Sequence, residues 1–120
     1  MLRPAFTQQL AAYLLAGESV NLHAPHGRGR RQTLEDLLTL LAGVQVQKID
    51  LKREQDMWND WLKETLTLSG QVIVILHNIE YITQAQKAVL PRLKVFTLLC
   101  VSELAMGDKD MLEIEISEVI

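Results

Sequence analysis

The sequence is short of several things, and each shortage closes off a class of protein. There is one cysteine among the 120 residues, Cys100, so an internal disulfide is impossible. Its neighbours Leu98, Leu99 and Val101 point to a buried, inert thiol. No apolar run approaches the ~20 residues of a membrane span. The first residues, Met1-Leu2-Arg3-Pro4, lack the basic-then-apolar pattern of a signal peptide. A reducing cytoplasm is therefore the expected compartment. No internal repeat, low-complexity tract or linker interrupts the chain. An excess of either charge is also missing: 12 Lys+Arg against 15 Asp+Glu leave a net charge of -3. Bulk charge thus gives no sign of nucleic-acid binding.

What is present is an ordinary globular balance, with 48% hydrophobic and 22% charged residues, which argues against disorder. A chain of this length buries about 65% of its unfolded surface, enough for one core. We expect a single domain over residues 1–120.

Two hydrophobic periods alternate along it. Phe6, Leu10, Tyr13 and Leu14 form one helical stripe over 5–16, with Pro4 at the start and Gly17 at the end. Residues 19–23 read as a strand. The next helix is expected over 32–42 on Leu34, Leu37, Leu38 and Leu41, and a strand over 44–50. Trp58, Trp61, Leu62 and Leu66 mark a helix over 54–68, the tryptophan pair suiting helix packing better than a stacking platform. Val72-Ile73-Val74-Ile75-Leu76 has the continuous apolar character of a central strand covered on both faces. A short helix over 83–90 is expected to close at Pro91. A second central strand is expected over 94–101, and Leu112, Ile114 and Ile116 alternate with Glu113 and Glu115 as an edge strand does. Strands separated by helices imply right-handed crossovers and a parallel sheet, hence an α/β fold in three layers, αβα, with five strands.

Ligands of such sheets sit beyond the carboxyl ends of the strands. The first strand-to-helix loop, Ala24-Pro25-His26-Gly27-Arg28-Gly29-Arg30-Arg31, holds three of the chain's six arginines. Together with the order of elements, this loop resembles that of P-loop NTPases of the AAA+/STAND type. Such loops bind phosphate through glycine-rich backbone N–H groups, a lysine and a Mg²⁺-holding hydroxyl. Pro25, Gly27 and Gly29 match the family pattern. Ala24 stands for its first glycine, Arg30 for the lysine and Arg31 for the Ser/Thr. The strand Ile73-Val74-Ile75-Leu76 runs into His77-Asn78 where the family's Walker B strand carries Asp-Glu, with Glu80 two residues on. Ser102 falls where the family carries a polar sensor residue.

The resemblance implies a P-loop NTPase-like core with strand order 5-1-4-3-2 and no lid domain. Asn21, polar in a strand that order makes central, counts slightly against it. The departures imply loss of chemistry. Arg31 removes the hydroxyl ligand, and His77 and Asn78 remove both acidic groups of phosphoryl transfer. We therefore expect no catalytic residues, and a pseudo-ATPase acting as a protein-interaction or regulatory module, its partner another protein such as an active ATPase relative. The alternatives are ATP or ADP held without turnover, or a nucleic-acid accessory role for Arg28, Arg30 and Arg31. His23, His26 and His77 all fall at expected strand ends, but the spacing is weak for zinc, and no metal is expected.

Overall fold

The computed structural model describes residues 3–23, 30–102 and 112–115, with side chains described for 5–23 and 31–102. Four helices and five strands follow in the order α1 (Arg3–Leu15), β1 (Val20–His23), α2 (Arg30–Leu40), β2 (Gln45–Asp50), α3 (Trp58–Leu66), β3 (Val72–His77), α4 (Gln84–Leu93), β4 (Thr97–Ser102) and β5 (Leu112–Glu115). Single 3-10 turns precede α3, at Gln55–Met57, and follow β3, at Ile79–Tyr81.

The strands lie in the order β2-β3-β4-β1-β5 and every pairing is parallel. β3 and β4 take the middle because both of their faces are apolar. Val72 to Leu76 are all buried, as is every residue of β4. Alternation then sorts these side chains into two cores. Ile73, Ile75, Leu99, Val101, Val20 and Leu22 pack against α1 and α2 through Leu10, Leu14, Leu34, Leu37 and Leu41. Val72, Val74, Leu76, Leu98 and Cys100 pack on the other face with Trp58, Trp61 and Leu93 of α3 and α4. The tryptophan rings lie 5.3 Å apart between centroids.

The expectation of a P-loop NTPase-like core needs correcting. The body of the domain is a four-stranded all-parallel sheet, β2-β3-β4-β1, with four helices. β5 extends this sheet at the β1 edge, pairing with β1 along four residues. The strand order is the expected one, 5-1-4-3-2 read from the β5 edge, but beyond the order of elements and strands nothing among the described residues ties the architecture to a P-loop NTPase. The reason is physical. Right-handed crossovers and short connections leave few arrangements for helix-separated parallel strands. Order and spacing are therefore shared by unrelated α/β domains and cannot identify one family.

Two boundaries also move, for one reason. Pro91 does not close α4, which runs on to Leu93. A proline this far inside removes one helical hydrogen bond. The helix continues because Leu93 is wholly buried in the α3–α4 core, and packing outweighs propensity. The turn is pushed downstream, so β4 begins at Thr97 and Val95 is 78% exposed rather than part of a central strand. Asn21 is 3% exposed in β1, and its Nδ2 has no acceptor among the described residues.

Candidate functional site

The carboxyl end of the sheet is where the sequence places the chemistry, and at β2 and β3 it carries a polar cluster. Asp50 and His77 are the last residues of these strands and stand opposite each other in the register. Their side chains approach to 3.8 Å, Nδ1 to Oδ2. The next residue, Asn78, turns the chain through the left-handed region at φ 57°, ψ 51°. Asparagine tolerates that conformation better than other non-glycine residues. Its Nδ2 then donates to Asp50 Oδ1 at 2.7 Å.

Asp50 ties down its own side of the cleft as well. The backbone N–H groups of Lys52 and Arg53 donate to Oδ1 at 2.9 and 3.4 Å. Glu54 closes the loop from the other end: its Oε1 accepts from the Asp50 N–H at 3.0 Å, and its own N–H donates to the Asp50 carbonyl at 2.7 Å. The His77 carbonyl accepts from the Leu51 N–H at 2.9 Å, so the two strand ends are stitched together. Partial burial works against ionisation of Asp50. The Asn78 hydrogen bond, the Lys52 amide, the charge of His77 and the Arg53 amide outweigh it and hold the carboxyl below its ordinary range.

The geometry shows a structural part for His77 and Asn78. They are the β3 half of a clasp whose β2 half is Asp50 and Glu54. Those two residues were not among the expected site residues. The signal that could have found them was local: an Asp ending a strand, with Glu four residues on, as in an Asx-type turn.

The remaining expected residues are dispersed. Glu80 is exposed on the 3-10 turn after β3. Ser102 ends β4 and is 1% exposed. Arg31 is exposed in the first turn of α2, and Arg30 opens that helix, which starts two residues earlier than its apolar stripe suggests. Ala24, Pro25, His26, Gly27, Arg28 and Gly29 lie outside the described residues. His23 and His77 do not converge. His77 shares its face with Val101, on the α1–α2 side, whereas His23 pairs with Ser102, one residue on and thus on the opposite face. Among the described residues no three His, Cys, Asp or Glu side chains come together as a metal site.

A second feature flanks the cluster. Between the β2 edge and α3 runs a groove of about 220 Å³, lined by Glu54, Asp56, Met57, Asp60, Trp61 and Glu64. Lys48 and Ile49 of β2 complete its wall. Asp56, in the 3-10 turn before α3, and Asp60 and Glu64, in α3, recur every four residues and are all exposed.

Neither a protein-family model nor a curated protein matches this chain. Among the described residues no helix is long and apolar enough to cross a membrane.

Proposed function

We propose that this domain is a catalytically inactive protein-interaction or regulatory module. The observation that carries the reading is the state of the clasp. At the carboxyl end of β2 and β3, where α/β enzymes place reactive groups, the Asp50 carboxylate is engaged by Asn78, Lys52 and Arg53, and Glu54 by the Asp50 amide. A carboxylate held in this way is a poor general base, because its hydrogen bonds favour the ionised form and lower its proton affinity. The polar residues there join two strands and shape a turn. The surface beside them offers a charged, partly apolar groove. A cytoplasmic setting fits the single buried thiol of Cys100.

Two measurements test the reading together. Tagged protein should recover the same polypeptide partner from its host in repeated captures, identified by mass spectrometry. The same preparation should show no thermal shift with millimolar ATP or ADP, with or without Mg²⁺. A reproducible nucleotide shift, or turnover of ATP, would replace this reading with that of a nucleotide-binding switch. Capture of no partner under any condition would remove it.

A further inference from the structure

We infer that the groove between β2 and α3 is the docking site for an arginine-bearing basic segment of a partner polypeptide. The inference rests on the interaction reading above and gives it a surface and a chemistry.

Charge is the first argument. Four carboxylates, those of Glu54, Asp56, Asp60 and Glu64, face a single cation, Lys48, across the groove. Glu54 is committed to the Asp50 amide. Asp56, Asp60 and Glu64 form no ion pair among the described residues. Like charges one helical turn apart destabilise a helix by about 0.2–0.5 kcal/mol. Asp60 and Glu64 are such a pair, and the position of Asp60 in the first turn of α3 offsets that repulsion. A bound cation would reverse the sign of that interaction.

The second argument is independent of charge. Trp61 is nine-tenths buried and forms part of the groove wall, and its indole N–H has no acceptor among the described residues. A buried donor left without a partner costs about 1–3 kcal/mol. Met57 stands at the groove mouth, 54% exposed, although it is a large apolar side chain. Thioethers adapt to varied partners and are common on binding surfaces.

These features select the occupant. A nucleic acid is repelled by the carboxylates. A metal ion is disfavoured because, among the described residues, the carboxylates are strung from Glu54 to Glu64 rather than gathered around a point. A basic polypeptide meets each requirement. A guanidinium forks across neighbouring carboxylates, which an ammonium does less well. The polypeptide's apolar side chains cover the exposed Met57.

The groove wall is also well supported. Gln55, in the 3-10 turn before α3, exchanges amide hydrogen bonds with Gln86 of α4 at 2.6 and 3.2 Å, and donates to the Tyr81 carbonyl at 3.0 Å. Gln86 in turn forms the capping box of α4 with Thr83. The wall is thus pinned to the rest of the domain, which lowers the ordering cost of binding.

The test uses a fluorescent, end-capped octapeptide of alternating arginine and leucine, with lysine–leucine and glutamate–leucine versions beside it. Anisotropy and the tryptophan emission of Trp58 and Trp61 report binding. We expect micromolar binding of the arginine peptide, weaker binding of the lysine peptide and none of the glutamate peptide. Asp60→Lys/Glu64→Lys should weaken binding at least about tenfold. Glu18→Lys/Glu35→Lys changes net charge equally at exposed sites on other elements and should leave it intact. Equal loss in both variants would show general charge attraction and overturn the inference, as would no binding of the arginine peptide. Sedimentation supplies a further outcome: self-association abolished by Asp60→Lys/Glu64→Lys would make the occupant a second copy and overturn the heterologous partner. In host capture, a partner retained by that variant refutes the groove while leaving the interaction reading in place. No partner for either protein refutes the interaction reading itself.

Discussion

Replacing Asn78 by alanine separates the two contributions that hold the β2–β3 clasp. The first is the hydrogen bond to Asp50 Oδ1 at 2.7 Å, which is charge-assisted. Such bonds contribute about 1.5–3 kcal/mol net. The second is the backbone. Asn78 sits at φ 57°, ψ 51°, and alanine there costs on the order of 1 kcal/mol more than asparagine. The sum is about 3 kcal/mol, a large share of the roughly 5–15 kcal/mol of a typical domain. For a chain of this length it corresponds to a fall in Tm of about 12 °C. Asn78→Gly keeps the turn and loses only the bond, so it should cost about 2 kcal/mol.

Acid distinguishes the terms again. The Asp50 carboxyl is lowered in the fold, so its contribution is fully present above the unfolded value of about 4 and is lost as pH falls through the folded one. The gap between wild type and Asn78→Gly should therefore narrow below about pH 4. Urea melts at pH 7 and pH 3 measure both effects. An Asn78→Ala variant within about 0.5 kcal/mol of wild type at pH 7 would refute the clasp. An Asn78→Gly variant as unstable as Asn78→Ala would refute the backbone term.

Other outcomes follow from the same geometry. Asn78→Asp places a second carboxylate against Asp50, so it should destabilise more than Asn78→Ala at pH 7 and recover relative to it in acid, as followed by thermal melts against pH. Val95→Asp should change stability by less than about 0.5 kcal/mol because the side chain lies in solvent, whereas Leu99→Ala in β4 should cost about 2–5 kcal/mol in denaturant titrations. Thr83→Ala removes the cap of α4 and should cost about 0.5–2 kcal/mol, read by the same titrations, with weakened protection of the Gln86 amide in hydrogen exchange.

The parts of the fold legible in the sequence are those dictated by continuous apolar character. Val72 to Leu76 announces a strand buried on both faces, and the stripes through Leu10 and Leu14 or Leu34, Leu37 and Leu41 announce helices lying against a sheet. Tertiary packing overrode local punctuation at Pro91, which looks like a stop until the burial of Leu93 is known. The site was harder to read. His77 and Asn78 draw attention in a sequence because of what they fail to be. Their partners, Asp50 and Glu54, lie at the end of another strand, and only the parallel register brings Asp50 beside His77. Three acidic residues spaced four apart, Asp56, Asp60 and Glu64, stand in the sequence. Their meaning was not legible there, because the exposure of Met57 and the groove beside it depend on how α3 sits against β2.

The central claim, that this domain works by binding a polypeptide through its β2–α3 side, is tested most directly by hydrogen exchange on the complex with its captured partner. The account predicts slowed exchange over residues 54–66, with the carboxyl ends of β1 and β4 unchanged. Protection confined to those strand ends, or no change over 54–66, would contradict it.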